Sequence, residues 1–277
     1  MTITENIGFI GGGRMAEAMI KGILGADLVN PGQIFVSEPI LSRRDYLEKT
    51  FRITTVPNGS SLLDRCHIII LAIKPQVMAE VLDEIRQGIT KTHLVISIAA
   101  GITLTFLEER LANSGCRLVR AMPNTPALVQ AAASALSAGN RASARDLEIT
   151  KEIFLSVGEC VVLDECDLDA VTGLSGSGPA YVFSFIEALI DAGVKVGLGR
   201  ETAGRLVRQT VLGSIKLAMD TGEHPASLRA MVTSPGGTTI AGLYVLEKAG
   251  FQGIIMEAVE TAYNRSKELG KQSACNK

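Results

Sequence analysis

Short apolar runs separated by amphipathic stretches fill the first half of the chain. "NIGFI" at 6–10, "QIFVS" at 33–37, "HIIILAI" at 67–73, "HLVISIA" at 93–99 and "RLVRAM" at 117–122 are rich in β-branched residues. Near-continuous apolar runs of this length predict parallel strands covered on both faces. Between them, residues 14–26, 76–86 and 104–111 are amphipathic with helical character. The alternation predicts an α/β fold with a doubly wound parallel sheet. "SALSA" (134–138) and "ECVVLD" (159–164) add later strands around a helix at 145–156.

After Asp164 the pattern changes, and no strand-like run remains. Residues 167–173, 180–196, 200–221, 238–249 and 253–268 carry apolar positions three and four apart, which predicts helices. One such stripe, Tyr181, Phe185, Leu189 and Ala192, reads as core packing. The pattern predicts an α/β domain at 1–164 and an all-helical domain at 165–277. No Pro/Ser-rich linker separates them, which predicts close packing.

Composition narrows the function classes. At 277 residues, 47% hydrophobic and 20% charged, the chain reads as a soluble globular protein. A net charge of −2, no Trp and four Tyr give no footing for nucleic acid. "IIILAI" is far too short to span a bilayer, and the first residues lack a basic segment ahead of their apolar stretch. Five scattered cysteines without a C-x-x-C pair predict reduced thiols and a cytoplasmic protein, and three distant histidines offer no metal site.

The chemistry begins at "IGFIGGGRMAEAMIKG", where Gly11-x-Gly13-x-x-Ala16 follows a predicted strand and opens a predicted helix. That context is what a dinucleotide fingerprint requires. Gly11 permits the tight turn, Gly13 lets a pyrophosphate reach the backbone, and Ala16 lets helix and strand lie close. Phosphates would sit on N–H groups at the helix start. At the end of the second strand, Glu38 is placed to accept hydrogen bonds from an adenosine ribose, the mark of NAD. Ser37, Arg43 and Arg44 could instead hold the 2′-phosphate of NADP; in a third reading the arginines are solvated and Ser42 caps the next helix. "LAIKPQ" (71–76), "SIAAG" (97–101) and "AMPNTPAL" (121–128) follow further strands, at the ends where open α/β sheets bind ligands.

The helical half opens with "GLSGSGPAYVF" (173–183), whose glycines break a helix before Pro179 starts the next. It later carries "HPASLRAMVTSPGGTTIAGL" (224–243), in which Ser234-Pro235-Gly236-Gly237-Thr238-Thr239 interrupts helical sequence. Read as residues alone, this is either a turn capped by Thr238 or a backbone cradle for a small anion. Together with "GFIGGGRMAEA", "LAIKP", "SIAAGIT" and "RAMPNTPALV", these blocks make the chain resemble the Δ1-pyrroline-5-carboxylate reductase family over nearly its whole length.

The resemblance implies a Rossmann-like N-terminal domain and a helical C-terminal dimerisation domain. It also implies hydride transfer from NADPH or NADH to the cyclic imine of L-Δ1-pyrroline-5-carboxylate, the last step of proline biosynthesis. Homodimers that assemble further into rings are expected, with substrate between the nicotinamide and the C-terminal helices near the dimer contact. Cofactor positions carried onto this chain are Ile10, Gly11, Gly12, Gly13, Arg14, Met15, Asn58, Ala72, Lys74, Pro75, Ala99, Ala100 and Gly101, with Ser37 and Glu38 at the variable selecting position. Substrate contacts fall on Glu165, Ser234, Gly236, Gly237, Thr238 and Thr239, and Thr239 is the catalytic candidate, orienting the ring nitrogen. Glu165 alone also reads as solvated surface, and His224 as a turn before a helix. Rival readings are a β-hydroxyacid dehydrogenase or imine reductase, for which Lys195 lies too far along its helix, and a nucleotide-binding protein without turnover.

Overall fold

A computed structural model describes residues 3–275, with side chains described to 271. Packing divides the chain into two compact units, one running to Ser177 and resuming at Thr261, the other spanning Gly178–Glu260.

The first unit is built on an eight-stranded sheet: β1 Ile7–Ile10, β2 Ile34–Ser37, β3 Thr54–Val56, β4 Ile68–Leu71, β5 Leu94–Ser97, β6 Arg117–Met122, β7 Ala132–Ala138 and β8 Gly158–Val162. The order is β3-β2-β1-β4-β5-β6-β7-β8, with the first six strands parallel. This six-strand order is that of the dinucleotide-binding doubly wound fold. Helices α1 Arg14–Gly25, α2 Leu41–Phe51, α3 Met78–Ile85, α4 Leu104–Arg110 and α5 Ala144–Leu155 connect the strands, and the one-turn α6 Leu168–Val171 follows β8.

Side chains on successive strand positions point to opposite faces, and both faces are covered. Ile7, Phe9, Ile34, Val36, Ile68 and Ile70 join one core with α1 and α5. Ile10, Phe35, Ile69, Leu71, Val95 and Leu118 join the other with α3 and α4.

One strand, β7, departs from the parallel sheet that the pattern predicts. β6 and β7 pair antiparallel, with Val119 opposite Ala138 and Met122 opposite Ala135. Only a 3₁₀ turn at Thr125–Val129 separates these strands. Without a crossover helix the chain must return in the opposite direction, whereas α5 provides a crossover and makes β8 parallel to β7. β3 was not anticipated: three half-buried residues carry too little apolar pattern to register.

The second unit holds α7 Gly178–Lys195, α8 Arg200–Thr221, α9 Pro225–Met231, α10 Thr238–Lys248 and the first part of α11 Phe251–Cys275. The stripe expected as core is not buried in this chain: Phe185 is 43% exposed, and no residue of α7 or α10 is buried. The expected helix at 167–173 is split into a 3₁₀ turn, α6 and a π turn at Thr172–Gly176. The His224 imidazole accepts from the Ala226 N–H at 3.2 Å and caps α9, in keeping with its reading as a turn before a helix.

The units do not part at 164/165. Residues 165–177 stay with the sheet because Glu165 pairs with Arg120, Asn124 donates to the Ser175 carbonyl at 2.9 Å, and Ser266 donates to Asp169 at 2.6 Å.

Candidate dinucleotide and substrate sites

The carboxyl ends of the parallel strands bring the expected cofactor residues together. Ile10 ends β1, and its carbonyl accepts from the Ala72 N–H at 2.8 Å. Gly11 follows at φ +98°, where an added Cβ would lie 2.5 Å from the Ala72 carbonyl oxygen. Only glycine fits there. The Gly12 N–H donates to Glu38, and Gly13 is the extended residue before α1, with no side chain to cap it. A Cβ on Gly13 would meet nothing within 4 Å. The open space lies where an anion approaches the free N–H groups of a helix start, so the loop fits a dinucleotide pyrophosphate. Ala16 is fully buried in the core below, Met15 packs partly into it, and Arg14 is exposed.

Neighbouring strand ends complete this edge. Ser37 ends β2 and is buried. Asn58, after β3, accepts from Ser60 Oγ and from the N–H and hydroxyl of Ser61, which fixes the turn at Ser60–Leu62. Lys74 is exposed ahead of the 3₁₀ turn Pro75–Val77. After β5, Ala99 is buried, Ala100 is exposed and Gly101 turns at φ +72° against Leu269 of α11.

Arg43, read in the sequence as a possible phosphate holder, braces this edge instead, together with Glu17 and Tyr46, which the sequence did not single out. Arg43 donates from Nε to the Gly12 carbonyl at 2.6 Å and from a terminal nitrogen to Gly13 and Glu17. Tyr46 donates to the other Glu17 oxygen at 2.8 Å. Burial pushes the Glu17 carboxyl up, but the hydrogen bonds from Arg43 and Tyr46 and the positive charge of Arg43 outweigh it and hold the carboxyl below its usual range. Arg43 is therefore not a free surface cation. Ser42 does not cap α2 either; Ile40 occupies that position without a side-chain cap, and its N–H donates to Glu38 at 3.0 Å.

Glu165 is only half exposed, and the reading as plain solvated surface fails. Its Oε1 accepts from the Leu104 N–H at 2.6 Å and from Arg120 at 3.0 Å, while Arg120 on β6 is 3% exposed. The one signal for this pair was an arginine inside the apolar run "RLVRAM". Removing the carboxylate strands a buried guanidinium, so Glu165→Ala is expected to lower stability by about 2 kcal/mol, less than for a fully buried pair because Glu165 retains solvent contact. Urea unfolding of the variant checks this.

In the second unit, Gly236 turns at φ +67° and Gly237 is the extended residue before α10. The Gly237 N–H donates to the Ser234 carbonyl at 3.1 Å, and a Cβ on Gly237 would press into Ser234 Oγ. Thr238 does not cap the helix; it is the first helical residue and Thr239 the second, and no side chain caps this end. The early N–H groups of α10 have no acceptor within the helix. Lys195 is the last residue of α7, about 25 Å along the axis from Gly178 at 1.5 Å per residue.

Among the described residues no cluster of three or more His, Cys, Asp or Glu could hold a metal, and no helix is long and apolar enough to cross a membrane.

Comparison with known proteins gives this arrangement a family. Residues 165–269 match the description "Pyrroline-5-carboxylate reductase dimerisation", and residues 6–101 match "NADP oxidoreductase coenzyme F420-dependent". The pyrroline-5-carboxylate reductase of Synechocystis sp. is 47% identical over 96% of this chain and 98% of its own. The crystal structure of the Plasmodium falciparum pyrroline carboxylate reductase with NADP bound is 36% identical, with a TM-score of 0.87 over 98% of this chain and 100% of that one. A Coxiella burnetii pyrroline-5-carboxylate reductase structure, also 36% identical, reaches a TM-score of 0.91 over 96% of this chain and 99% of that one. With a relative this similar along nearly its full length, the chain belongs to the pyrroline-5-carboxylate reductase family of NAD(P)H-dependent oxidoreductases.

Proposed function

We propose that this chain reduces L-Δ1-pyrroline-5-carboxylate to L-proline, the final step of proline biosynthesis, with Thr239 as the residue that orients the imine. The observation that carries the reading is the start of α10. It presents N–H groups uncapped by any side chain beside a turn opened by Gly236, and it sets Thr239 at the second helical position. Such an end favours a carboxylate through both its donors and its dipole. The substrate carboxylate is assigned to the 235–239 loop, with Ser234, Gly236, Gly237 and Thr238 shaping it.

When bound, the reduced nicotinamide would supply the hydride that the imine carbon accepts, C2 of the pyrroline ring and C5 of the proline product. The C2=N1 double bond becomes single, and the ring nitrogen ends with a proton. Pyrroline nitrogen is basic, so the chain needs no strong acid there. The Thr239 hydroxyl hydrogen-bonds that nitrogen, fixes the ring and bridges proton movement. Positioning of this kind supplies up to roughly 7–11 kcal/mol of barrier reduction in well-oriented reactions. Gly11, Gly12 and Gly13 hold the pyrophosphate, and the turns after β4 and β5, including Ala72, Lys74, Pro75, Ala99, Ala100 and Gly101, hold the nicotinamide half. Glu165, carried over as a substrate contact, is supported here as a residue that fixes the start of α4 through Leu104.

The working form is assigned as a homodimer with a larger ring as the higher assembly. The match to a dimerisation family and the exposed apolar residues of the second unit support the homodimer. A reducing, cytoplasmic setting fits the free thiols: burial pushes Cys66 up to about 12 and Cys160 up to about 11, and both remain unpaired. We assign the functional division, as distinct from the packing units, to 164/165; a dimerisation match that begins at Glu165 supports it.

Thr239→Val removes the hydroxyl while keeping the shape. It is expected to lower kcat/KM for pyrroline-5-carboxylate by roughly 1–3 kcal/mol and to leave dinucleotide affinity unchanged. Steady-state kinetics beside a binding titration check both halves, and full turnover in the variant removes Thr239 from the mechanism.

A further inference from the structure

The end of β2 offers an acid and two arginines, and the structure gives them different tasks. Glu38 is 9% exposed. One of its oxygens accepts from the Gly12 N–H at 3.1 Å, the other from the Ile40 N–H at 3.0 Å. The backbone around it is pinned as well: the Gly11 N–H donates to Ser37 and the Glu38 N–H to Val56. The carboxylate therefore stands fixed at the strand end that meets the adenosine ribose in this fold. Each carboxylate oxygen has two acceptor sites, so acceptor capacity remains on both for hydroxyl donors.

Both arginines are engaged on backbone carbonyls. Arg43 uses Nε on the Gly12 carbonyl and a terminal nitrogen on Gly13 and Glu17, and its guanidinium lies 4.9 Å from the centre of the Tyr46 ring. Its charge is matched by Glu17. Arg44 donates from one terminal nitrogen to the carbonyls of Glu38 and Pro39 at 2.9 and 3.2 Å. Ser37 is 5% exposed. The geometry at this strand end offers a fixed anion with acceptor capacity for hydroxyls, while Arg43 is tied to the pyrophosphate loop and Arg44 to the Glu38 and Pro39 carbonyls.

We infer that Glu38 is a specificity-determining residue that selects a ribose 2′-hydroxyl over a 2′-phosphate, so that the chain takes NADH in preference to NADPH. A hydroxyl donates to the fixed carboxylate; a phosphate brings like charge and accepts where a donor is needed. Arg43 acts on both dinucleotides alike, as the brace of the Gly12–Gly13 turn. The inference rests on the dinucleotide reading of the site, and not on the imine chemistry assigned to Thr239.

Equilibrium titration of the whole protein with NADH and with NADPH, followed by calorimetry, tests it without turnover. NADH is expected to bind on the order of tenfold tighter, or about 1.4 kcal/mol. Adenosine 5′-monophosphate should likewise compete better than adenosine 2′,5′-bisphosphate on the unaltered protein. Glu38→Ser is expected to shift the ratio toward NADPH by about tenfold or more, and Arg43→Met to weaken both dinucleotides by similar factors. NADPH binding as tightly as NADH, a ratio unmoved by Glu38→Ser, or selective loss of NADPH in Arg43→Met would each overturn the inference. Failure of both dinucleotides to bind would remove the site reading with it. Normal selective binding in a protein that does not turn over pyrroline-5-carboxylate would uphold the selection and sink only the proposed reaction.

Discussion

Gly13→Val is expected to fold almost as well as the parent protein and to lose its dinucleotide. A Cβ at this position meets no atom within 4 Å, and the backbone there, at φ −70°, suits any residue. The stability change is therefore limited to the difference between Gly and Val ahead of a helix, about 1 kcal/mol or less, or a few degrees in Tm. The branched side chain instead fills the space through which a pyrophosphate reaches the start of α1. Affinity should fall more than about 100-fold, near 3 kcal/mol. Gly11→Ala provides the contrast. At φ +98° and with its Cβ 2.5 Å from the Ala72 carbonyl oxygen, it should lose stability and binding together. Thermal melts beside calorimetric titration separate the two cases, and equal destabilisation by both variants would mean that the space over Gly13 belongs to the fold and not to a ligand.

The second large effect concerns the helical unit. Phe183, Val196, Leu212, Met219, Tyr244 and Met256 are between 59% and 79% exposed in the single chain. A water-facing apolar surface of that extent marks an interface. If a second copy covers it, folding and association are one event, and the unfolding midpoint must rise with protein concentration. Sedimentation should show dimers or larger closed species, with the monomer absent until the helices unfold. A folded monomer whose midpoint is independent of concentration would contradict the assignment.

The first six strands, apart from β3, and the glycine turn were legible because local pattern and long-range structure agree there. Ile7, Ile34 and Ile68 line up across β2, β1 and β4 as an unbroken apolar layer, and the Gly11 turn follows from a positive φ that other residues resist. The reversal of β7 was not legible, because "SALSA" has the same pattern in either direction and only the short connection through Thr125–Val129 decides it. The apolar periodicity of α7 fixed its helix but not its partner, since a stripe such as Tyr181, Phe185 and Leu189 looks alike in a core and in an interface. Side-chain networks were the least visible. Arg43, Glu17 and Tyr46 are separated by up to 29 residues, yet Arg43 and Tyr46 meet on the Glu17 carboxylate while Arg43 also holds the carbonyls of the Gly12–Gly13 turn. Glu165 and Arg120 looked unrelated until the 3₁₀ turn at Glu165–Asp167 set them 3.0 Å apart. The cofactor and 235–239 loop residues were legible chiefly through family resemblance. By itself Pro-Gly-Gly is an ordinary turn.

The central claim is chemical, and its most direct test is turnover. NADH and NADPH oxidation should be followed by absorbance with L-Δ1-pyrroline-5-carboxylate as substrate, and the product identified. The expected result is stoichiometric L-proline, with the higher kcat/KM for NADH. A folded protein that binds the dinucleotide but oxidises neither form in the presence of this imine would contradict the account.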